Sequence, residues 1–122
     1  MLNVISKLVR WRWAELGFVE EKRGDSEDLL KQRLQDHFDA TGGVQRAYLT
    51  VVKQRTGWRV QHSVALCLVA DAVDHRAVSQ GTGAVFADLF RADQALDIVF
   101  LGAHDESRLR QVCSPFYVRT DA

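Results

Sequence analysis

The residues able to do chemistry in this chain are two cysteines, four histidines and a small group of aspartates. A thiol nucleophile needs a cysteine whose pKa is lowered by a helix N-terminus or a cationic neighbour, with a base placed to take its proton. Cys67 instead sits among aliphatics in Val64-Ala65-Leu66-Cys67-Leu68-Val69. Cys113 falls near the C-terminal end of a predicted helix, where the dipole disfavours a thiolate. Both read as buried free thiols packing as small hydrophobes, which fits a reducing, cytoplasmic setting. His37, His62, His75 and His104 lack the metal-site spacing of two histidines one helical turn apart beside a carboxylate, so neither metal nor cofactor is expected.

Asp71, Asp74 and His75 follow a predicted strand, where the aspartates suit helix capping. His62, on the apolar face of its strand, reads as a hydrogen-bonded histidine at the core edge. Gly81-Thr82-Gly83 resembles part of a phosphate-cradling loop, but it falls inside a helical pattern and lacks the lysine and the preceding strand. The small-molecule site these groups would suggest is a pocket between sheet and helices near His62, Asp71 and His75, serving a sensor or an enzyme.

The elements that must position these residues follow from hydrophobic period. Leu2, Ile5, Leu8, Val9, Trp13 and Leu16 recur at three and four residues and predict an amphipathic helix with Trp11 widening its apolar arc. Asp25 or Ser26 caps a second helix carrying Leu30, Leu34 and Phe38 on one face, ended by Gly42-Gly43. Residues 1–43 are thus expected as a helical hairpin. The period then drops to two. Arg46–Lys53 and Trp58–Val69 predict a β-hairpin around Gln54-Arg55-Thr56-Gly57, with Trp58, Val60, His62, Val64, Leu66 and Leu68 on one face. A helix over Val78, Thr82, Val85, Phe86 and Leu89 follows, interrupted by Gly81 and Gly83 in a way that predicts a kink or a close helix contact. Ala95–Leu101 reads as a strand buried on both faces. A final helix from Asp105 carries Leu109, Val112, Cys113 and Phe116, and Pro115 stops it.

The expected fold class is therefore α+β: an N-terminal helical hairpin, then β-β-α-β-α with a three-stranded, mostly antiparallel sheet. Either the third strand returns beside the first, placing Ala47–Lys53 in the centre, or a parallel crossover sets it beside the second. The 122 residues are read as a single domain. Sixteen basic residues balance sixteen acidic ones, which disfavours a nucleic-acid binder and leaves little repulsion between copies. No apolar run approaches the roughly 20 residues of a membrane span.

The strand Leu96-Asp97-Ile98-Val99-Phe100-Leu101 and the stretch Leu109-Arg110-Gln111-Val112-Cys113-Ser114-Pro115-Phe116-Tyr117-Val118-Arg119 resemble the C-terminal domain of the SseB family, the enhanced serine sensitivity proteins. The shared features are Leu-Asp opening a strand and Pro-Phe-Tyr-x-Arg after a helix, and the resemblance spans residues 46–119. It implies a bacterial α+β domain of regulatory or interaction type, with no catalytic residues to carry over. Together these readings predict a non-enzymatic interaction domain, homodimeric or bound to a protein partner. Its candidate contact surface is Trp11, Trp13, Phe116, Tyr117 and Arg119. An immunity-type protein that neutralises a toxin is the alternative from a different class.

Overall fold

The computed structural model describes residues 4–6, 16–56, 58–90 and 96–120. The chain order is β1 (Val4–Ser6), β2 (Leu16–Glu21), α1 (Asp25–Thr41), β3 (Val44–Thr56), β4 (Arg59–Ala70), a 3-10 turn (Ala72–Asp74), α2 (His75–Leu89), β5 (Leu96–Phe100), α3 (Ala103–Arg110) and β6 (Tyr117–Val118). The strands form one mixed sheet in the order β1-β5-β4-β3-β2, with β6 also on β3. β1 and β5 run parallel to their neighbours β5 and β4, while β2, β4 and β6 pair antiparallel with β3.

The long hairpin of β3 and β4 is the frame. Its alternation sends Ala47, Leu49, Leu66 and Leu68 to one face, where Leu30, Leu34 and Phe38 of α1 and Val78 and Phe86 of α2 cover them. Tyr48, Val52, Ala65 and Cys67 go to the other face, under Leu109 of α3 and Cys113. β5 supplies both layers, Leu96, Ile98 and Phe100 to the first and Val99 to the second, so all five of its residues are buried. Each fully buried leucine or phenylalanine stabilises this arrangement by about 1.5–3 kcal/mol. The sheet thus lies between α1 and α2 on one side and the Leu109 helix, α3, on the other. Among the described residues, no helix is long and apolar enough to cross a membrane.

The expected N-terminal helical hairpin is not what forms. β1 and β2 stand at Val4–Ser6 and Leu16–Glu21, where a helix and a polar break were expected, and α1 is the sole helix before β3 among the described residues. The physical reason is the sheet itself. β3 has an outer edge whose backbone groups need partners, and β2 supplies them from Thr50 to Gln54. β5 likewise takes β1 along one edge. Among the described residues, the expected three-stranded sheet is therefore six-stranded and mixed. With β2 and β6 filling the outer edge of β3, β5 takes the parallel position beside β4. The last helix also ends early, at Arg110. Both the Val112 and Cys113 amides donate to the Leu109 carbonyl at 3.0 Å, tightening the final turn ahead of Pro115.

Candidate functional site

Between Cys113 and Tyr117 the chain passes from one face of the sheet to the other, since Cys113 packs in the α3 layer and Tyr117 in the α1 and α2 layer. It does so round the edge of β3. The Phe116 amide donates to the Ala47 carbonyl at 2.9 Å and the Arg119 amide to the Gln45 carbonyl at 2.8 Å. The Gln35 side-chain amide of α1 donates to the Phe116 carbonyl. Tyr117 is buried, its ring edge-on to Phe38 at 5.4 Å between centroids, and burial raises its phenol pKa. Phe116 is half-buried, Val118 is 56% exposed and Arg119 is exposed. Trp11 and Trp13 lie outside the described residues.

Arg119 borders two clefts, one on each side of β6. The first, about 330 Å³, opens between the C-terminal end of α1 and the start of α2, where His37, Thr41, Asp74 and Gly81 line it with Arg119. The second, about 290 Å³, is lined by Gln45, Arg46, Val118 and Arg119. α1 ends at the first cleft because Gly42 and Gly43 take φ of 71° and 88°, the left-handed region that glycine enters freely. Gly81, inside α2, costs about 1 kcal/mol of helix propensity relative to alanine. What it gains is contact, because a Cβ there would fall 2.4 Å from Nε2 of His37. The Thr41 hydroxyl donates to the His37 carbonyl at 2.9 Å.

Behind the second cleft lies a polar network that holds α3 on the sheet. Arg46 donates to Glu106 through Nε at 2.5 Å and through its second nitrogen at 2.9 Å. The Tyr48 hydroxyl donates to Glu106 Oε2 at 2.5 Å and accepts from Arg110 Nε at 2.8 Å. The Arg46 hydrogen bonds, helped by Tyr48, hold the Glu106 carboxyl below the usual glutamate range. Burial, the largest cause, raises the Tyr48 pKa. Every donor and acceptor named here is engaged within the network, so its chemistry is structural: a charge-assisted clamp between β3 and α3.

The other groups singled out in the sequence are dispersed. Burial pushes both thiols up, Cys67 strongly and Cys113 to about 11, so both are protonated at neutral pH. His62 is exposed, opposite Lys53 on the hairpin arm. His75 stacks on Phe100 at 3.7 Å between centroids, with Nε2 3.1 Å from the Ala70 carbonyl oxygen. Ala70 lies eight residue steps along β4 from His62, a rise of about 26 Å, so the structure does not bring the two histidines together. Among the described residues, no group of three or more His, Cys, Asp or Glu side chains is placed to hold a metal ion. The cleft is lined by His37 and Asp74 instead. Sequence reasoning missed His37, although a glycine within a helical pattern signalled a close neighbour.

A protein-family model described as the SseB protein C-terminal domain matches residues 21–119 of the chain. No curated protein and no solved structure matches it.

Proposed function

We propose that this chain, which belongs to the family of SseB protein C-terminal domains, is a non-enzymatic interaction or regulatory domain. It holds a protein partner, or a second copy of itself, against the edge formed by β6. The observation that carries this reading is the position of Arg119, which borders a cleft on each side of a two-residue strand. Among the described residues β6 pairs with β3 alone, and Val118 on it is more than half exposed. An arginine with an exposed apolar neighbour and a short strand edge suits recognition of an extended peptide or a second strand. Phe116 and Tyr117 fix that edge from beneath, and Trp11 and Trp13 join the surface on sequence grounds alone. Zero net charge leaves little repulsion to oppose association of two copies.

Photocrosslinking in bacterial cells tests it. A benzophenone amino acid at position 118 of the full chain is expected to give one major adduct of defined identity, lost in Arg119→Glu. The same group at Val73, which is 87% exposed on the turn before α2, is the control. If both positions give the same adducts, or position 118 gives none, the reading fails.

A further inference from the structure

We propose that the tip of the β3–β4 hairpin docks the protein reversibly on an anionic lipid surface. Trp58 lies in the connection between the paired residues Thr56 and Arg59 and is 88% exposed. Val60, 44% exposed, and the exposed His62 follow it at two-residue intervals. The Arg59 guanidinium lies 5.7 Å from the Trp58 ring centroid, so an aromatic ring and a cation are held together at the tip. The charge here is one-sided. Sixteen basic residues balance sixteen acidic ones over the whole chain, yet residues 40–70 contain Arg46, Lys53, Arg55 and Arg59 and no aspartate or glutamate. Arg46 is committed to Glu106. Among the described residues, Lys53 and Arg59, both exposed, form no ion pair. Asp97, an acid at the base of the arm, is buried and accepts from Ser63.

The shape agrees with the charges. β2 pairs with β3 as far as Gln54, and β5 pairs with β4 from Ala65 onward. Among the described residues, the last rungs of the hairpin, Arg55 with Val60 and Thr56 with Arg59, therefore have no third strand beside them, and the arm projects from the sheet. A projecting tip has no walls with which to enclose a peptide or a nucleic-acid strand, but it can enter a flat surface. At a membrane surface tryptophan settles among the headgroups, and nearby lysine and arginine are drawn to anionic lipid. One aromatic ring with a few cations gives reversible attachment rather than a permanent anchor. β6 pairs at the other end of β3, on Arg46 and Ala47, so docking by the tip neither needs nor excludes a protein partner there.

Co-sedimentation of the full chain with vesicles of phosphatidylcholine and phosphatidylserine, mixed at about three to one, tests the site. Pure phosphatidylcholine vesicles and single-stranded oligouridine are the controls. Binding to the anionic vesicles is expected to be about tenfold or more tighter than to the neutral ones, and to weaken as salt is added. Lys53→Ala and Arg59→Ala should each weaken it about fivefold, the factor that one basic residue near such a surface supplies, and Trp58→Ala about tenfold. All three positions are exposed, so the variants are expected to fold. The proposal is overturned if the chain binds neither vesicle or binds both equally. It is equally overturned if Trp58→Ala leaves binding unchanged, which would place the attachment elsewhere on the chain. Oligouridine that strips the chain from the anionic vesicles at equal phosphate concentration would make the arm a nucleic-acid platform and overturn it too. Crosslinking at position 118 reads none of these outcomes, so the two proposals fail separately.

Discussion

The imidazole of His37 occupies the space that a side chain on Gly81 would need: a Cβ there would stand 2.4 Å from Nε2 and 2.9 Å from Cε1. A histidine on α1 thus packs into the place of a missing side chain on α2, its neighbour on the same face of the sheet. The clash partner is the far end of a half-buried side chain, which can turn towards solvent.

Gly81→Ala is therefore expected to fold, because the gain in helix propensity, about 1 kcal/mol, offsets the displaced ring. Its signature is a moved imidazole, seen as changed His37 ring signals in NMR, with the denaturation midpoint altered by about 1 kcal/mol or less. Gly43→Ala should behave differently. Its nearest contacts, from 3.4 Å, are ordinary, but its φ of 88° strains any residue with a Cβ, and about 1–2 kcal/mol of stability should be lost. Equal effects of the two substitutions would contradict this assignment.

Glu106 is the acceptor on which the α3 clamp depends, taking hydrogen bonds from Arg46 and Tyr48 while only 9% exposed. Glu106→Gln keeps the size but loses the charge-assisted pair, so a loss of about 2 kcal/mol is expected in urea denaturation. The pH dependence follows from the same bonds. The folded-state pKa lies below the ordinary value of 4.5, so this stabilisation is fully present above that value. It fades as the pH falls through the folded pKa, below which the group is protonated whether the chain is folded or not. Wild-type stability should therefore fall more steeply on acidification below pH 4.5 than that of Glu106→Gln. Parallel acid limbs for the two proteins would remove Glu106 from this role.

Much of this frame was legible from residue types alone. The four-residue spacing of Leu30, Leu34 and Phe38 and the Gly42-Gly43 stop give α1, and the run around Ile98, apolar but for Asp97, gives a strand buried on both faces. These signals are local, because each element's own residues carry them. What stayed hidden depends on partners distant in sequence. β2 reads as a polar break in isolation and becomes a strand because β3 offers an edge. Glu106 reads as one more charge on an amphipathic helix until Arg46, 60 positions earlier, meets it. The cleft is a similar case, since His37 and Asp74 come together only when α1 and α2 pack on the same face.

The hydroxyl of Thr82 is buried in α2 and, among the described residues, is the buried side-chain polar atom without a hydrogen-bond partner. Thr82 itself is 0% exposed. Burying such a group unpaired costs about 1–3 kcal/mol, whereas a methyl group of nearly the same shape carries no such penalty. Threonine and valine have similar helix propensities, so the comparison is not confounded by the backbone. Thr82→Val is therefore expected to stabilise the protein by about 1 kcal/mol. Thr82→Ser, which keeps the hydroxyl and deletes the packed methyl, should destabilise it by a similar amount. Thermal and urea denaturation of both variants read the two signs. A destabilised Thr82→Val would mean that the hydroxyl holds a partner in solution, and the interior of α2 would then be organised by that bond rather than by apolar packing.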